Sequence, residues 1–213
     1  MLPDLFLPLA GEYQIFNLFR YITFRSGGAM LTSLILALMF GDAFIRWLKS
    51  HQAEGQPIRS DGPESHILTK AGTPTMGGLL ILACFILSTL LWVPLQNPYL
   101  WPVLLIAASY GAIGAVDDWL KLKKRSSDGM SGRQKLLFQI ATAFLASLVF
   151  IQLSPDALRY GVALPFVKDT LLYLGIFYVP FAILVIVGAS NAVNLTDGLD
   201  GLAIVPVMIV AAC

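Results

Sequence analysis

Five stretches of this chain are apolar for about 20 residues each, the length that carries a helix across a ~30 Å hydrocarbon core. They run over Gly27–Leu48, Thr75–Val93, Leu100–Val116, Leu136–Leu153 and Leu171–Ser190. A sixth, Leu199–Cys213, has 15 residues, about 22 Å of helix, and reads as a span cut short. The expected fold is an all-α integral membrane protein of five complete transmembrane helices plus a truncated sixth. Residues 1–213 then form a single transmembrane domain, the N-terminal portion of a longer protein. Charge agrees: 13% of the residues are charged, against about 25% in soluble domains. The net charge of +1 makes no electrostatic case for nucleic acid, and none is expected as a partner. Cys84 and Cys213 lie in apolar segments, and His51 and His66 are isolated, so neither type offers metal-ligand spacing.

Residues 1–26 have no basic leader or small-residue cleavage site and are expected to form a periplasmic, interfacial segment. Within it the aromatic-rich stretch Tyr13–Phe24 reads as a helix lying on the membrane surface. Lys and Arg positions orient the rest. Arg46, Lys49, Arg59 and Lys70 flank or occupy the loop after the first span, and Lys121, Lys123, Lys124, Arg125, Arg133 and Lys135 the loop after the third. Arg20, Arg25, Arg159 and Lys168 fall on the other side. Ten cations against four place the richer loops in the cytoplasm, so the polar motifs of the chain share one face.

The first motif is GAVDDWLKLKKR, where an apolar span ends in Asp117 and Asp118. Lys121 follows at helical spacings of four and three and falls on the same side as both carboxylates. Such a cluster could bind a metal, orient a phosphate through the lysine, or supply a base; an ordinary solvated helix end is the plainer reading. The second is NAVNLTDGLDG, in which Asn194, Asp197 and Asp200 recur every third residue and would line one helical stripe, while Gly198 and Gly201 leave room for close approach. These residue types also suit a plain turn. The third is KAGTPTMGG: Thr73 suits an N-cap and Pro74 a first helical position, and the free amides there could receive an anion beside Lys70. In SSDGMSGRQK, Ser131 with Gln134 reads as a capping box opening the fourth span, and its cations as attracting lipid headgroups. Asp42 reads as structural.

Carboxylates, amides and lysines at the ends of several spans describe a membrane-surface site for an anionic, metal-bound substrate. Phosphoryl transfer suits it, because that chemistry needs charge neutralisation and alignment. A cation or proton transporter would instead cluster carboxylates near mid-membrane.

In their order and spacing, KAGTPTMGG, GAVDDWLKLKKR and NAVNLTDGLDG resemble the polyprenyl-phosphate N-acetylhexosamine-1-phosphate transferases, and the similarity extends over essentially the whole chain. The resemblance is to the branch that handles phospho-N-acetylmuramoyl-pentapeptide. It implies about ten spans in a bacterial inner membrane, a periplasmic N-terminus and a cytoplasmic active site. It further implies transfer of phospho-MurNAc-pentapeptide from its UDP carrier to undecaprenyl phosphate, giving lipid I and UMP with Mg²⁺, the first membrane step of peptidoglycan synthesis. Carried over by motif, Asp117, Asp118, Lys121, Asn194 and Asp197 would be catalytic. Lys70, Thr75, Gly198, Leu199 and Asp200 would contact nucleotide or substrate. Asp117 is a candidate metal ligand, with the family's main Mg²⁺ aspartate expected after Cys213. On that ground residues 1–213 alone are expected to be inactive. Partners would be the two substrates and membrane lipids, with a homodimer left open. A related UDP-GlcNAc transferase is the alternative.

Overall fold

A computed structural model of the chain describes residues 1–52, 55, 72–126, 129–164, 167, 170–196 and 202–212. It is mostly helical: α1 Leu2–Phe6, α2 Ile22–His51, α3 Gly78–Trp92, α4 Leu100–Lys124, α5 Gly132–Leu153, α6 Tyr178–Thr196 and α7 Ile204–Ala212. Among the described residues four helices have the length and apolarity to cross a membrane, over Ile22–His51, Leu100–Lys124, Gly132–Leu153 and Gly175–Thr196. With these, the chain is a multi-pass membrane protein. The second expected span is shorter than its apolar window. Its helix α3 has 15 residues, about 22 Å, because Met76 turns into the left-handed region at φ 72° and the helix starts only at Gly78.

The contacts divide the chain into two compact units, Met1–Lys135 and Leu136–Cys213. In the first, Tyr13–Phe24 is not one surface helix. A 3₁₀ turn over Gln14–Arg20 precedes an extended Tyr21, after which α2 begins. Ring stacking organises the segment: Phe6 lies 5.0 Å from Phe16 and 4.9 Å from Phe19, and Phe19 stacks on Trp92 at 5.7 Å. Trp92, at the end of α3, lays its indole across Gly28 of α2 and donates its Nε1–H to Thr32 Oγ1 at 2.9 Å. A Cβ at Gly28 would sit 2.6 Å from Trp92 Cζ2, so the hydrogen at this position lets the two helices meet. Gly28→Leu is expected to destabilise the protein by about 1–3 kcal/mol through overpacking, read as a lowered melt in detergent. An unchanged melt would show that α2 and α3 do not touch there.

α4 ends in a Schellman closure. Arg125 adopts φ 50°, its N–H reaches Leu122 O, and Ser126 N–H reaches Lys121 O, both at 3.3 Å. Lys121, Lys123 and Lys124 in the last turn complement the helix dipole.

In the second unit, α5 and α6 are tied by an amide pair. Gln139 is buried, and Asn191 donates one Nδ2–H to its Oε1 and another to Val187 O, both at 2.8 Å. The fifth expected span, Leu171–Ser190, loses its first residues to a two-stranded antiparallel ladder. Here β1 (Gly161–Ala163) pairs with β2 (Leu171–Tyr173) in the register Val162 to Leu172. Val162 and Tyr173 are the strand-favouring residues of the ladder, and α-helix begins at Tyr178.

Candidate active site

Asp117 and Asp118 lie near the end of α4, and helical geometry alone brings one ammonium to both. Lys121 Nζ is 2.8 Å from Asp117 Oδ2 and 3.3 Å from Asp118 Oδ1, as spacings of four and three require. The cluster is sheltered: the side chains of Asp117, Asp118 and Lys121 keep 12%, 29% and 26% of their accessibility. Screening by water is weak there, so the ammonium offsets the repulsion between the carboxylates.

The chain after α4 folds back onto Asp117. Met130 donates its backbone N–H to Asp117 Oδ1 at 2.7 Å, and Lys124 Nζ reaches Gly129 O at 3.4 Å. Gly129 lies directly on the carboxylate, where a Cβ would fall 2.9 Å from Asp117 Cγ and 2.9 Å from its carbonyl oxygen. Two residues later Ser131 caps α5. Its Oγ accepts from Gln134 N–H at 3.4 Å, as the capping-box reading requires. The return bond differs, because the hydroxyl donates to Gln134 Oε1 at 3.0 Å.

Asp118 is held from another direction. Thr75 donates its hydroxyl to Asp118 Oδ2 at 2.7 Å, and Gln52, the residue that ends α2, holds Thr75. Gln52 Oε1 accepts from Thr75 N–H at 2.9 Å, and Gln52 Nε2 donates to Thr75 O at 3.3 Å. This overturns the reading of Thr73 and Pro74 as a helix start with free amides. Residues 73–75 are not helical, Thr75 N–H is spent on Gln52, and Leu79 and Leu80 N–H close a first turn on Met76 O and Gly77 O at 3.1 Å.

Four of the expected site residues, Thr75, Asp117, Asp118 and Lys121, therefore meet in one cluster within the first unit. Asn194 is exposed on α6 in the second unit. Lys70, Asp197, Gly198, Leu199 and Asp200 lie outside the described residues, so the stripe of Asn194, Asp197 and Asp200 is placed at Asn194 alone. Gln52, Gly129 and the amide of Met130 were not legible from residue type or spacing. Only the glycines in SSDGMSGRQK hinted that a backbone passes close to something.

Among the described residues each of the four carboxylate oxygens accepts one bond, from Met130 N–H, Lys121 or Thr75, and a carboxylate oxygen has lone pairs for two. Such a cluster can hold a cation or a phosphate-bound metal at a helix end. Among the described residues no third His, Cys, Asp or Glu joins it.

Comparison with known proteins gives the family. Residues 100–213, which include the two aspartates and Lys121, match the glycosyl transferase family 4 model. Residues 70–82, which include Thr75, match signature 1 of phospho-N-acetylmuramoyl-pentapeptide-transferase. A protein of Granulibacter bethesdensis bearing that transferase name is 57% identical over 211 residues, 99% of this chain and 58% of the relative. One from a Ruegeria species, of the same name, is 55% identical over 198 residues, covering 93% of this chain and 55% of the relative. The chain thus spans a little over half the length of these curated relatives. With a family model matched over more than half its residues, a signature matched at Thr75 and relatives similar along almost all of it, the chain belongs to glycosyl transferase family 4.

Proposed function

We propose that this chain is part of a phospho-N-acetylmuramoyl-pentapeptide transferase of the bacterial inner membrane. The complete protein moves phospho-MurNAc-pentapeptide from UDP to undecaprenyl phosphate, producing lipid I and UMP. The observation that carries this is the sheltered Asp117–Asp118–Lys121 cluster at the end of a membrane-length helix, tied to the signature through Thr75. The Lys and Arg excess puts that end in the cytoplasm, where a nucleotide-linked sugar is available. A further expectation is that five spans of the family's ten lie in this chain, α3 among them.

An oxygen of the lipid phosphate attacks the β-phosphorus of the UDP-sugar, and the bond to UMP breaks. An ionised lipid phosphate is already a nucleophile, so the protein has to align it and neutralise charge. Lys121 faces the phosphates as a cation, and Asp117 orients the lipid phosphate or takes its proton. By the family resemblance Asn194 and Asp197 are also needed for transfer, and Lys70, Gly198, Leu199 and Asp200 contact the nucleotide. Mg²⁺ fits the oxygens present, since it takes one or two carboxylates together with substrate phosphates. Asp117 and Asp118 would hold it with the family's later aspartate, and when bound it neutralises phosphate charge.

The test is UMP release by the full-length protein in membranes or detergent. Release should need both UDP-MurNAc-pentapeptide and undecaprenyl phosphate, stop on chelation with EDTA, and return with Mg²⁺. Turnover with UDP-GlcNAc in preference to the muramoyl substrate would replace this reading with the related GlcNAc-1-phosphate transfer.

A further inference from the structure

Asp118 is positioned by a chain of contacts that begins outside the motifs. Gln52 is fixed through its backbone on both sides: its N–H closes α2 on Leu48 O at 2.9 Å, and its carbonyl accepts Gly55 N–H at 2.8 Å. Its side chain then crosses to Thr75, 23 residues further on, and pairs with both backbone groups of that residue, at 2.9 and 3.3 Å. A primary amide bound in this way acts like one residue of a neighbouring strand, fixing the orientation of Thr75 as well as its place. Residues 72–77 have no helix or strand of their own to do so. Among the described residues a second contact holds the stretch to the chain just after α2. Gly55 (φ 68°) and Gly72 (φ 76°) meet backbone to backbone, and a Cβ on Gly55 would lie 2.7 Å from Gly72 Cα.

The Thr75 hydroxyl carries this order to Asp118 at 2.7 Å. Of the two partners of Asp118 among the described residues it is the closer. Lys121 stands 3.3 Å from Asp118 on a long, flexible stem and pairs more closely with Asp117, at 2.8 Å. The Asp118 side chain is the more exposed of the two carboxylates, so without an anchored threonine it can turn toward water.

We propose that Gln52 is a positioning residue for the transfer reaction, its amide holding the Thr75 backbone so that the threonine hydroxyl sets the direction of the Asp118 carboxylate. This rests on the transferase reading above. The experiment is a double-mutant cycle of Gln52→Ala and Thr75→Val in the full-length protein, following UMP release from UDP-MurNAc-pentapeptide with undecaprenyl phosphate and Mg²⁺. Misplacing a reacting group by about 1 Å costs up to about 100-fold, so each single variant should lose about 10- to 100-fold in kcat. KM for the nucleotide substrate should stay within about twofold, because the loss falls on alignment. The double variant should be no slower than Thr75→Val alone, since both residues act through one hydroxyl. If Gln52→Ala does not yield folded protein, Gln52→Glu enters the same cycle under the same criterion; it keeps the acceptor for Thr75 N–H and removes the donor. Multiplying losses in the double variant, or a loss carried by KM, overturns the proposal. A wild-type protein that releases no UMP sinks the transferase reading and the clamp together. An active wild type with Gln52→Ala within twofold of it sinks the clamp alone.

Discussion

Asp117→Asn and Asp118→Asn are expected to give similar defects in transfer and different melts. Either change removes a charge from the sheltered cluster proposed to handle the phosphates, and losses of about 100- to 1,000-fold in kcat follow from deleting one such electrostatic group. Their structural roles differ. Asp117 accepts from two donors, Met130 N–H at 2.7 Å and the Lys121 ammonium at 2.8 Å, and neither can accept in return. Whichever way an asparagine amide is turned at 117, its NH₂ meets a donor. One sheltered donor is left unmatched, at about 1–3 kcal/mol. Asp118 differs because Thr75 is a hydroxyl. An asparagine there can accept from Lys121 with its oxygen and donate to Thr75 Oγ1 with its nitrogen, so the fold should be nearly unaffected. Thermal melts of the two purified full-length variants, beside UMP release, check this. Equal melts would contradict the contact of Asp117 with Met130.

Gly129→Ala should also damage activity, although it adds a single methyl group. The new carbon would lie 2.9 Å from both Asp117 Cγ and the Asp117 carbonyl oxygen. The first belongs to a carboxylate pinned by Lys121, the second to the backbone of α4. The loop cannot retreat without breaking the bond from Met130 N–H to Asp117 and shifting the Ser131 cap of α5. A stability cost of about 1–3 kcal/mol is expected from overpacking, with a loss of activity of about tenfold or more from the displaced carboxylate. Gly132→Ala is the matched control, because a Cβ there meets nothing within 4 Å. Equal behaviour of the two variants would show that Gly129 does not rest on the site.

Periodic features were legible from the sequence, and contacts made across a loop were not. The meeting of Lys121 with both carboxylates follows from 3.6 residues per turn, and the Ser131–Gln134 cap from a local pattern. The bond between Thr75 and Asp118 joins residues 43 apart, and the Gln52 clamp joins residues 23 apart, with no repeat to announce either. The start of α3 was misplaced because Thr73 and Pro74 are good helix-entry residues in isolation. Gln52 takes the Thr75 backbone for itself, and Met76 then turns left-handed. The opening of α6 was misplaced for a similar reason: Leu171–Tyr173 is apolar enough for a span, yet it finds a strand partner in Gly161–Ala163.

The shortness of α3 sets a depth. On the proposed reading α3 is one of the family's spans and its Trp92 end, packed among aromatic rings, lies at one interface; its 15 residues then reach about 22 Å into a core of ~30 Å. On that reading the chain before Gly78 starts about 8 Å inside the far edge of the core, among the acyl chains. Non-helical backbone survives at that level only when protein groups take up its amides, as Gln52 does for Thr75. On the same reading the carboxylates bonded to this stretch would lie in a recess rather than on a protruding loop. A phosphate carried on a lipid tail could enter it sideways from the membrane, while a nucleotide would have to descend to meet it.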